Sequence, residues 1–497
     1  MLGFRRIPGW KSKSCTGLHS GSDCTEGSDF GRPGKEERAV CTQAEGNYME
    51  KFRHNVVIRF TKWLNAVMVT VPFGLSWYLY YVERLASPYH GSGNYLVLLL
   101  FFILYCFIGH VYEAFNISTK RISEMIYSQC LALLASNAIV WIVLWLLMKK
   151  CPALWPMLLA TLGQMVLTTV WSVASHKLYY RIFPAKPTAV VYDVRQGLDQ
   201  LISSYGLDKK YNVLMTLSVD ECLEDLEALL GMETVFLSGI HSKERNIILK
   251  FCMYNDIEVM VIPRVGDVIM SGAKAMHMFH LPILQVRRYD ATPEYLLMKR
   301  AMDVVVSLLG LIVLSPVMAA VAIAVKSYDG GPVFYKQVRL TQNGKKFFIH
   351  KFRSMRVDAE KDGVARLSTG ENDDRITPVG RVLRKLRLDE LPQLMDILSG
   401  NLSLVGPRPE RPEIAEEYMQ ELPEFQLRLE AKAGLTGYAQ VYGKYNTTPY
   451  DKLQMDLMYI AHPSILEDLK IMMATVKILF MKDSTEGVEE GQTTAAR

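Results

Sequence analysis

Four long apolar stretches follow one another in the first half of the chain, and they constrain its fold more than any other feature. Each is close to the ~20 residues that a helix needs to cross a bilayer. Buried helices of soluble proteins rarely reach this length four times in succession. The sequence therefore predicts a bundle of four transmembrane helices, at residues 63–82, 95–112, 127–147 and 154–174.

The Lys and Arg residues around these stretches predict how the bundle is oriented. Nine lie before the first stretch, between the second and third, or after the fourth, whereas three lie in the other two loops. Cytoplasmic loops carry the excess of Lys and Arg, so we expect both ends of the bundle in the cytoplasm. The nine are Lys51, Arg53, Arg59, Lys62, Lys120, Arg121, Lys177, Arg181 and Lys186, and the three are Arg84, Lys149 and Lys150.

Composition narrows the remaining function classes. Half of the 497 residues are hydrophobic, 22% are charged and the net charge is +5, so no nucleic-acid partner is expected, because such binding needs a strongly basic surface. The eight cysteines form neither a CxxC pair nor a cluster with His, which excludes an obvious zinc site or disulfide scaffold. Residues 1–50 and 482–497 are polar and lack apolar runs, and we expect a disordered leader and a disordered tail.

Residues 187–290 alternate between strand-like runs and segments of helical periodicity, which indicates a small parallel α/β sheet. A dinucleotide site would need a GxGxxG turn after the first strand, and this loop has only Gly197. We therefore predict a degenerate Rossmann-like domain with a structural or regulatory role, which also offers a dimerisation surface. The expected strands are residues 189–194, 212–217, 234–240, 257–262 and 283–286.

A fifth apolar stretch, residues 301–325, differs from the first four because Ser315 and Pro316 lie at its centre. Proline removes a backbone donor and clashes with the carbonyl of Ile312, while the Ser315 hydroxyl can bond a freed carbonyl. Cationic residues flank both ends of the stretch, so both ends carry the cytoplasmic signature. We expect a re-entrant helix-break-helix that enters and leaves on the cytoplasmic side, with a kinked span as the alternative.

Residues 336–356 contain seven cations and no acid, with aromatic residues between them. A basic face on anionic lipid would explain the charge. The interleaved aromatic residues favour instead a strand that holds cations at fixed positions, among which Arg353 could form a bidentate contact with phosphate.

A carboxylate pair, Asp389 and Glu390, follows a cationic helix turn and precedes a segment in which proline stands on both sides of Arg408. Adjacent carboxylates are commonly surface ion-pair partners. Proline, however, stiffens the backbone that presents Arg408. A rigid arginine beside two carboxylates suits phosphoryl transfer, in which positioning and charge neutralisation do most of the work.

At these residues the sequence resembles the polyprenyl-phosphate hexose-1-phosphate transferases, a bacterial sugar transferase family of large monotopic phosphoglycosyl transferases. The four-helix bundle and the degenerate α/β domain resemble the long-form members. The similarity covers about residues 295–480. Its matching stretches are KRAMD (299–303), Ser315-Pro316, GPVFYKQ (331–337), KFRSM (351–355), LDELPQL (388–394), LSLVGPRPE (402–410) and GLTGYAQV (434–441).

The resemblance implies a two-step reaction. Asp389 would attack the β-phosphate of a UDP-sugar and release UMP, and the resulting acyl phosphate would pass the sugar phosphate to polyprenyl (undecaprenyl) phosphate. Glu390 would bind Mg²⁺ as an oxygen ligand. Phosphate contacts are assigned to Lys351, Arg353, Arg408, Arg339 and Arg384. The implied setting is the first membrane step of exopolysaccharide, capsule or O-antigen-type glycan assembly.

The complete prediction is a membrane α-helical bundle, an α/β Rossmann-like cytoplasmic domain and an α/β phosphoglycosyl transferase domain with a re-entrant membrane helix. The protein would be a multi-pass protein of the bacterial cytoplasmic (inner) membrane, with the catalytic domain on the cytoplasmic face. The alternatives are a non-catalytic scaffold of polysaccharide assembly and a glycosyltransferase that releases UDP. The predicted divisions are residues 1–50, 51–186, 187–290, 291–481 and 482–497.

Overall fold

The computed structural model describes residues 35–85, 92–193, 197–289, 291–357, 359, 375–443 and 448–478. The expected tail, residues 482–497, and most of the expected leader lie outside this range. Residues 35–50 differ from the expectation of disorder, because the first helix already begins at Lys35. Its opening sequence, KEERAV, is rich in Lys, Glu, Arg and Ala, which have high helix propensity.

The four predicted apolar helices are present, and each is long and apolar enough to cross a membrane. The first ends in a π-helical turn, Trp77–Tyr81, and a 3₁₀ turn, Val82–Arg84. Buried amides and hydroxyls link the helices, as where Asn137 donates to the side-chain oxygen of Gln164 at 2.7 Å. The helices are α1 (Lys35–Ser76), α2 (Ser92–Val111), α3 (Ile122–Met148) and α4 (Trp155–Ile182).

The middle of the chain forms a four-stranded parallel sheet with strand order β2-β1-β3-β4. Apolar side chains from the strands and from the connecting helices, including Val191, Val235 and Ile248, form its core. Its strands are β1 (Lys186–Tyr192), β2 (Tyr211–Ser218), β3 (Thr234–Ser238) and β4 (Glu258–Ile262). The helices between and after them are α5 (Leu198–Ser204), α6 (Val219–Glu224), α7 (Ser242–Tyr254) and α8 (Val265–Ser271).

The fifth expected strand, residues 283–286, does not join this sheet. Residues 283–285 belong to β6 (Leu281–Gln285), which pairs antiparallel with β5 (Lys274–Met278) in a separate hairpin. Phe279 and His280 connect the two strands, and both adopt positive φ angles of 56° and 59°. A two-residue turn of this kind joins antiparallel strands, whereas a parallel neighbour needs a crossover of a dozen or more residues.

The last part of the chain is a mixed α/β domain around a long apolar helix. It contains an antiparallel pair, β7-β8, and a short parallel pair, β9-β10. A shared core joins α11, β9, α12 and α14. The elements in order are α9 (Pro293–Asp329), β7 (Phe334–Leu340), β8 (Lys346–Phe352), α10 (Pro378–Lys385), α11 (Gln393–Leu398), β9 (Ser403–Val405), α12 (Pro412–Glu421), β10 (Gly434–Thr436), α13 (Tyr438–Tyr442), α14 (Pro449–Ala461) and α15 (Ile465–Ile478).

Helix α9 contains the fifth apolar stretch, and its helical conformation continues through Pro316. The Ser315 hydroxyl donates to the carbonyl of Ile312 at 2.8 Å. Pro316 has no N–H to offer this carbonyl, so the hydroxyl replaces the missing backbone bond. This contact confirms the predicted partner of Ser315, although the helix is not interrupted there.

Candidate active site

The carboxylate pair lies in a 3₁₀ turn, Leu388–Glu390, directly after α10. Thr377 caps the start of α10 by accepting a hydrogen bond from the Gly380 N–H at 2.9 Å. Arg387 ends the cationic run with a left-handed φ of 51° and turns the chain sharply. Asp389 is left 8% exposed, at the wall of a large cavity.

Glu390 is the centre of a cation cluster. The Lys351 Nζ atom, on β8, donates to Glu390 Oε1 at 2.8 Å. The same oxygen accepts from Arg408 Nη2 at 3.5 Å, and Arg387 Nη1 lies 3.9 Å from Glu390 Oε2. Glu390 therefore holds three of the cations around Asp389 in position.

The two adjacent carboxylates titrate in opposite directions. Burial raises the pKa of Asp389, the Glu390 charge raises it further, and Lys351 and Arg384 offset part of this rise. Burial would also raise the pKa of Glu390, but Lys351, Arg408 and Arg387 outweigh it and hold that pKa well below its usual range. A pair of carboxyl groups with separated pKa values is typical of sites where they have different roles.

Two other arginines hold the segment that carries Arg408 through its backbone carbonyls. Arg428 Nη2 donates to the Arg408 carbonyl at 3.0 Å, and Arg339 Nη1 donates to the Pro409 carbonyl at 3.1 Å. Arg428 is itself buried and forms an ion pair with Asp456 at 2.7 Å. The rigid presentation of Arg408 thus depends on a buried ionic network as well as on its prolines.

The remaining predicted phosphate ligands have different surroundings. Arg384 lines the same cavity as Asp389. Arg339 is largely occupied, since it also donates to Gln337 Oε1 at 2.7 Å, and burial lowers its pKa to about 10. Arg353 does form a bidentate contact, but with the carboxylate of Asp329 at the end of α9. A Cβ atom on Gly331 would lie 2.7 Å from this guanidinium, so a larger residue there would displace the Arg353 head group.

The cavity has a volume of about 1080 Å³ and lies between the catalytic turn, the loop that joins α2 to α3, and α15. Among the described residues, thirteen Lys or Arg side chains and four acidic side chains line it. Such an excess of cations in a concave site favours anionic ligands. The cavity is therefore suited to a ligand with several phosphate charges.

The fit of a metal ion depends on the oxygen donors near the turn. In the described part of the chain, no group of three His, Cys, Asp or Glu residues could hold a metal. Asp389 and Glu390 nevertheless offer the hard oxygen ligands that Mg²⁺ prefers, and Mg²⁺ usually completes its coordination with water and substrate phosphates. The pair fits Mg²⁺ only together with a phosphate ligand. Asp396, the next carboxylate along the chain, instead accepts hydrogen bonds from the backbone and ring of His350.

Sequence reasoning missed Arg387 and Arg428. Arg387 could have been found, because a cation three residues before Glu390 lies on the same side of a helical turn. Arg428 stands alone in the stretch QLRLE, and nothing in that stretch indicates its contact with the Arg408 carbonyl.

These features define a class: a membrane-associated α/β protein whose cationic cavity surrounds a buried aspartate. The sequence model of the family described as "Bacterial sugar transferase" matches residues 294–482. A relative from Rhizobium leguminosarum bv. phaseoli, the exopolysaccharide production protein PSS, is 39% identical over 190 residues, which cover 36% of this chain and 94% of the relative. The chain therefore belongs to the bacterial sugar transferase family.

Longer relatives match this chain over part of their length. The UDP-glucose:undecaprenyl-phosphate glucose-1-phosphate transferase of Escherichia coli (strain K12) is 39% identical over 212 residues, covering 42% of this chain and 44% of the relative. The UDP-N-acetylgalactosamine-undecaprenyl-phosphate N-acetylgalactosaminephosphotransferase of Aeromonas hydrophila is 33% identical over 231 residues, covering 46% and 53%. The chain thus spans about half the length of these two relatives.

Proposed function

We propose that this protein transfers a sugar 1-phosphate from a UDP-sugar to polyprenyl phosphate and releases UMP. The observation that carries the proposal is the buried Asp389 at the wall of a cation-lined cavity, with Lys351, Arg387 and Arg408 fixed around it by Glu390. The names of both longer relatives describe transfer to undecaprenyl phosphate, which supports the same substrate class here. The reaction would begin membrane-bound glycan assembly.

In the proposed first step, an Asp389 carboxylate oxygen attacks the β-phosphorus of the donor. A bond forms between these two atoms, and the bond from the β-phosphorus to the bridging oxygen breaks, so that UMP leaves with the bridging oxygen. In the second step, a phosphate oxygen of polyprenyl phosphate attacks the same phosphorus and frees Asp389. A nucleophilic carboxylate divides one difficult displacement into two easier ones.

The surrounding cations have a defined role in this scheme. An anionic nucleophile and an anionic diphosphate repel each other, and Lys351, Arg384 and Arg408 would offset that repulsion. When bound, Mg²⁺ would neutralise further diphosphate charge, with Glu390 as the proposed protein ligand. Because Glu390 already orients three cations, its loss would disturb phosphate binding with or without the metal.

We further propose that α9 is re-entrant, with its helical backbone bent at Pro316 and not interrupted there. Its first half contacts the catalytic domain through Asp303, whose carboxylate accepts from the Ser403 hydroxyl at 2.9 Å and the Leu404 N–H at 2.9 Å. Its second half contacts the same domain through Val325, which packs with Phe352 and Leu383. Asp303 and Val325 are separated by about 33 Å of helix, and a spanning helix would place them on opposite sides of a ~30 Å hydrocarbon layer.

The opposite face of α9 is apolar and exposed, at Val305, Leu308, Leu309, Ile312 and Val313. A face of this kind is suited to lipid, while the polar face stays on the catalytic domain. With four spans before it, this arrangement keeps the catalytic domain and the α/β domain together on the cytoplasmic side, where UDP-sugars are found.

The testing experiment is a panel of UDP-sugars incubated with the full-length protein, undecaprenyl phosphate and Mg²⁺, with UMP and UDP measured separately. We expect UMP release that depends on one donor, together with a lipid-linked sugar diphosphate. UDP as the product would show transfer of the sugar alone. No turnover with any donor, from a protein that is folded and membrane-bound, would favour the scaffold role.

A further inference from the structure

One end of the catalytic cavity is formed by the membrane bundle. The loop between α2 and α3 lines it with Glu113 and Lys120, the first turn of α3 lines it with Glu124, and α15 lines it with Lys477. The family match begins at residue 294, so the bundle residues lie outside it. A volume of about 1080 Å³ lies just above the ~300–1,000 Å³ range for small-molecule sites, which leaves room for a second ligand beside the donor.

Lys477 is a buried cation without a fixed counterion. Lys477 is 9% exposed. Its ammonium group forms no ion pair or hydrogen bond with any of the described residues. Burial and the nearby Lys120 charge lower the Lys477 pKa to about 8, with Glu124 and Glu113 opposing the shift. Glu113 is already bound to Lys120, at 2.6 Å. Burying an ammonium group is costly unless an anion pairs with it.

This end of the cavity is close to the bilayer. The loop that carries Lys120 directly joins two membrane helices, α2 and α3. Helix α15 packs against the same bundle, since Met473 contacts the bundle core. A lipid whose chain stays in the bilayer can bring its head group here, whereas a soluble donor needs no such position.

We propose that Lys477, together with Lys120, binds the phosphomonoester head group of the lipid acceptor at the membrane-facing end of the cavity. The inference rests on the proposed transfer to polyprenyl phosphate, and it names the residues that bind the acceptor in the second step. The bundle then has a role beyond anchoring, because its α2–α3 loop completes the acceptor site. The donor diphosphate binds at the other end, among the cations around Asp389.

The test uses Lys477→Met in the full-length protein, reconstituted in nanodiscs with varied undecaprenyl phosphate. A hydrogen bond to a charged group contributes enough binding energy that its loss should raise the acceptor KM by about tenfold or more. The donor KM should stay within about twofold, as should the burst of UMP released without acceptor. Lys477→Arg should restore most of the acceptor affinity.

The matched control is Lys470→Met, which removes a lysine from the same helix. Lys470 pairs with Glu467 and does not line the cavity, so this variant should keep both KM values of the wild type. Thermal unfolding distinguishes misfolding from lost binding, because removal of an unpaired buried charge should leave Tm equal or higher.

Three outcomes would overturn the inference. An acceptor KM unchanged in Lys477→Met would mean that the ammonium binds no substrate. A parallel rise in donor KM would assign the site to the soluble nucleotide sugar, and an equal effect of Lys470→Met would show a general charge effect. If the wild type itself gives no UMP burst, the proposed function fails instead, and the two failures are thereby distinguished.

Discussion

Replacement of Glu390 by Gln tests how the active site is organised. The substitution keeps the side-chain volume and removes one negative charge. In the structure that charge holds Lys351 at 2.8 Å, Arg408 at 3.5 Å and Arg387 at 3.9 Å. It also raises the pKa of Asp389. Two separate effects on the reaction are therefore expected.

The first effect is on the rate. The bond from Lys351 is charge-assisted, and such bonds contribute about 1.5–3 kcal/mol, roughly twice a neutral bond. The glutamine oxygen can still accept from Lys351, so about half of this bond's free energy is lost. Loss of the two longer contacts, with Arg408 and Arg387, adds a smaller amount. A loss of about 1–2 kcal/mol in transition-state stabilisation corresponds to a roughly 5- to 30-fold lower kcat/KM.

The second effect is on pH dependence. Without the Glu390 charge, the pKa of Asp389 should fall, so the acid limb of the rate profile should move to lower pH. Stopped-flow or quenched-flow measurement of UMP release, across pH and Mg²⁺ concentration, gives both effects.

Glu421→Gln, at an exposed position on α12, is the control and should behave as the wild type. A Glu390→Gln variant with wild-type rate and an unmoved acid limb would refute this organisation, and an unchanged Mg²⁺ titration would remove Glu390 as metal ligand.

Three further predictions concern titration and topology. In the wild type, UMP release should fall as pH drops through the raised pKa of Asp389, because the protonated carboxyl is a poor nucleophile; a rate that stays flat down to about pH 4, an ordinary Asp pKa, would contradict this. Cysteines placed at the exposed positions Glu294 and Ser327 should both resist a membrane-impermeant thiol reagent in intact cells and react after permeabilisation. The native, exposed Cys151 lies in the opposite loop and should react in intact cells without permeabilisation. Labelling of the Ser327 position alone in intact cells would establish a fifth span. Pro316→Leu should shift labelling towards that pattern, since it restores a backbone donor, and unchanged labelling and activity would show that Ser315 and neighbouring groups suffice.

Most of the correct fold prediction follows from the periodicity of apolar residues and the length of the apolar stretches. The four apolar helices and four parallel strands follow from local patterns that the structure keeps. The strand at residues 283–286 was assigned to the wrong sheet, because its β-propensity does not specify its partner and the two-residue Phe279-His280 turn carries no glycine or asparagine signal. The helix over residues 35–50 was missed because polar composition alone does not distinguish helix from disorder.

Local sequence patterns indicate the site best where its residues are close in sequence. Asp389, Glu390 and Arg387 share one turn, and Arg408 is marked by its prolines. The pairing of Arg353 with Asp329 and the contact of Arg428 with the Arg408 carbonyl join segments about 20 residues apart, and composition does not reveal such pairs. The cavity wall from the α2–α3 loop lies more than 200 residues before the catalytic turn, and only the tertiary structure brings them together.

The most direct test of the central claim is intact-protein and peptide mass spectrometry of the protein after brief incubation with its UDP-sugar, in the absence of lipid acceptor. We predict a stoichiometric adduct of one sugar phosphate on the peptide that contains Asp389 and a matching burst of UMP. Added undecaprenyl phosphate should remove the adduct and turn the burst into continuous UMP release, whereas replacement of Asp389 by Asn should abolish both the adduct and the UMP. An Asp389→Asn protein that remains folded and still turns over at a substantial fraction of the wild-type rate, or an adduct on another residue, would contradict the account.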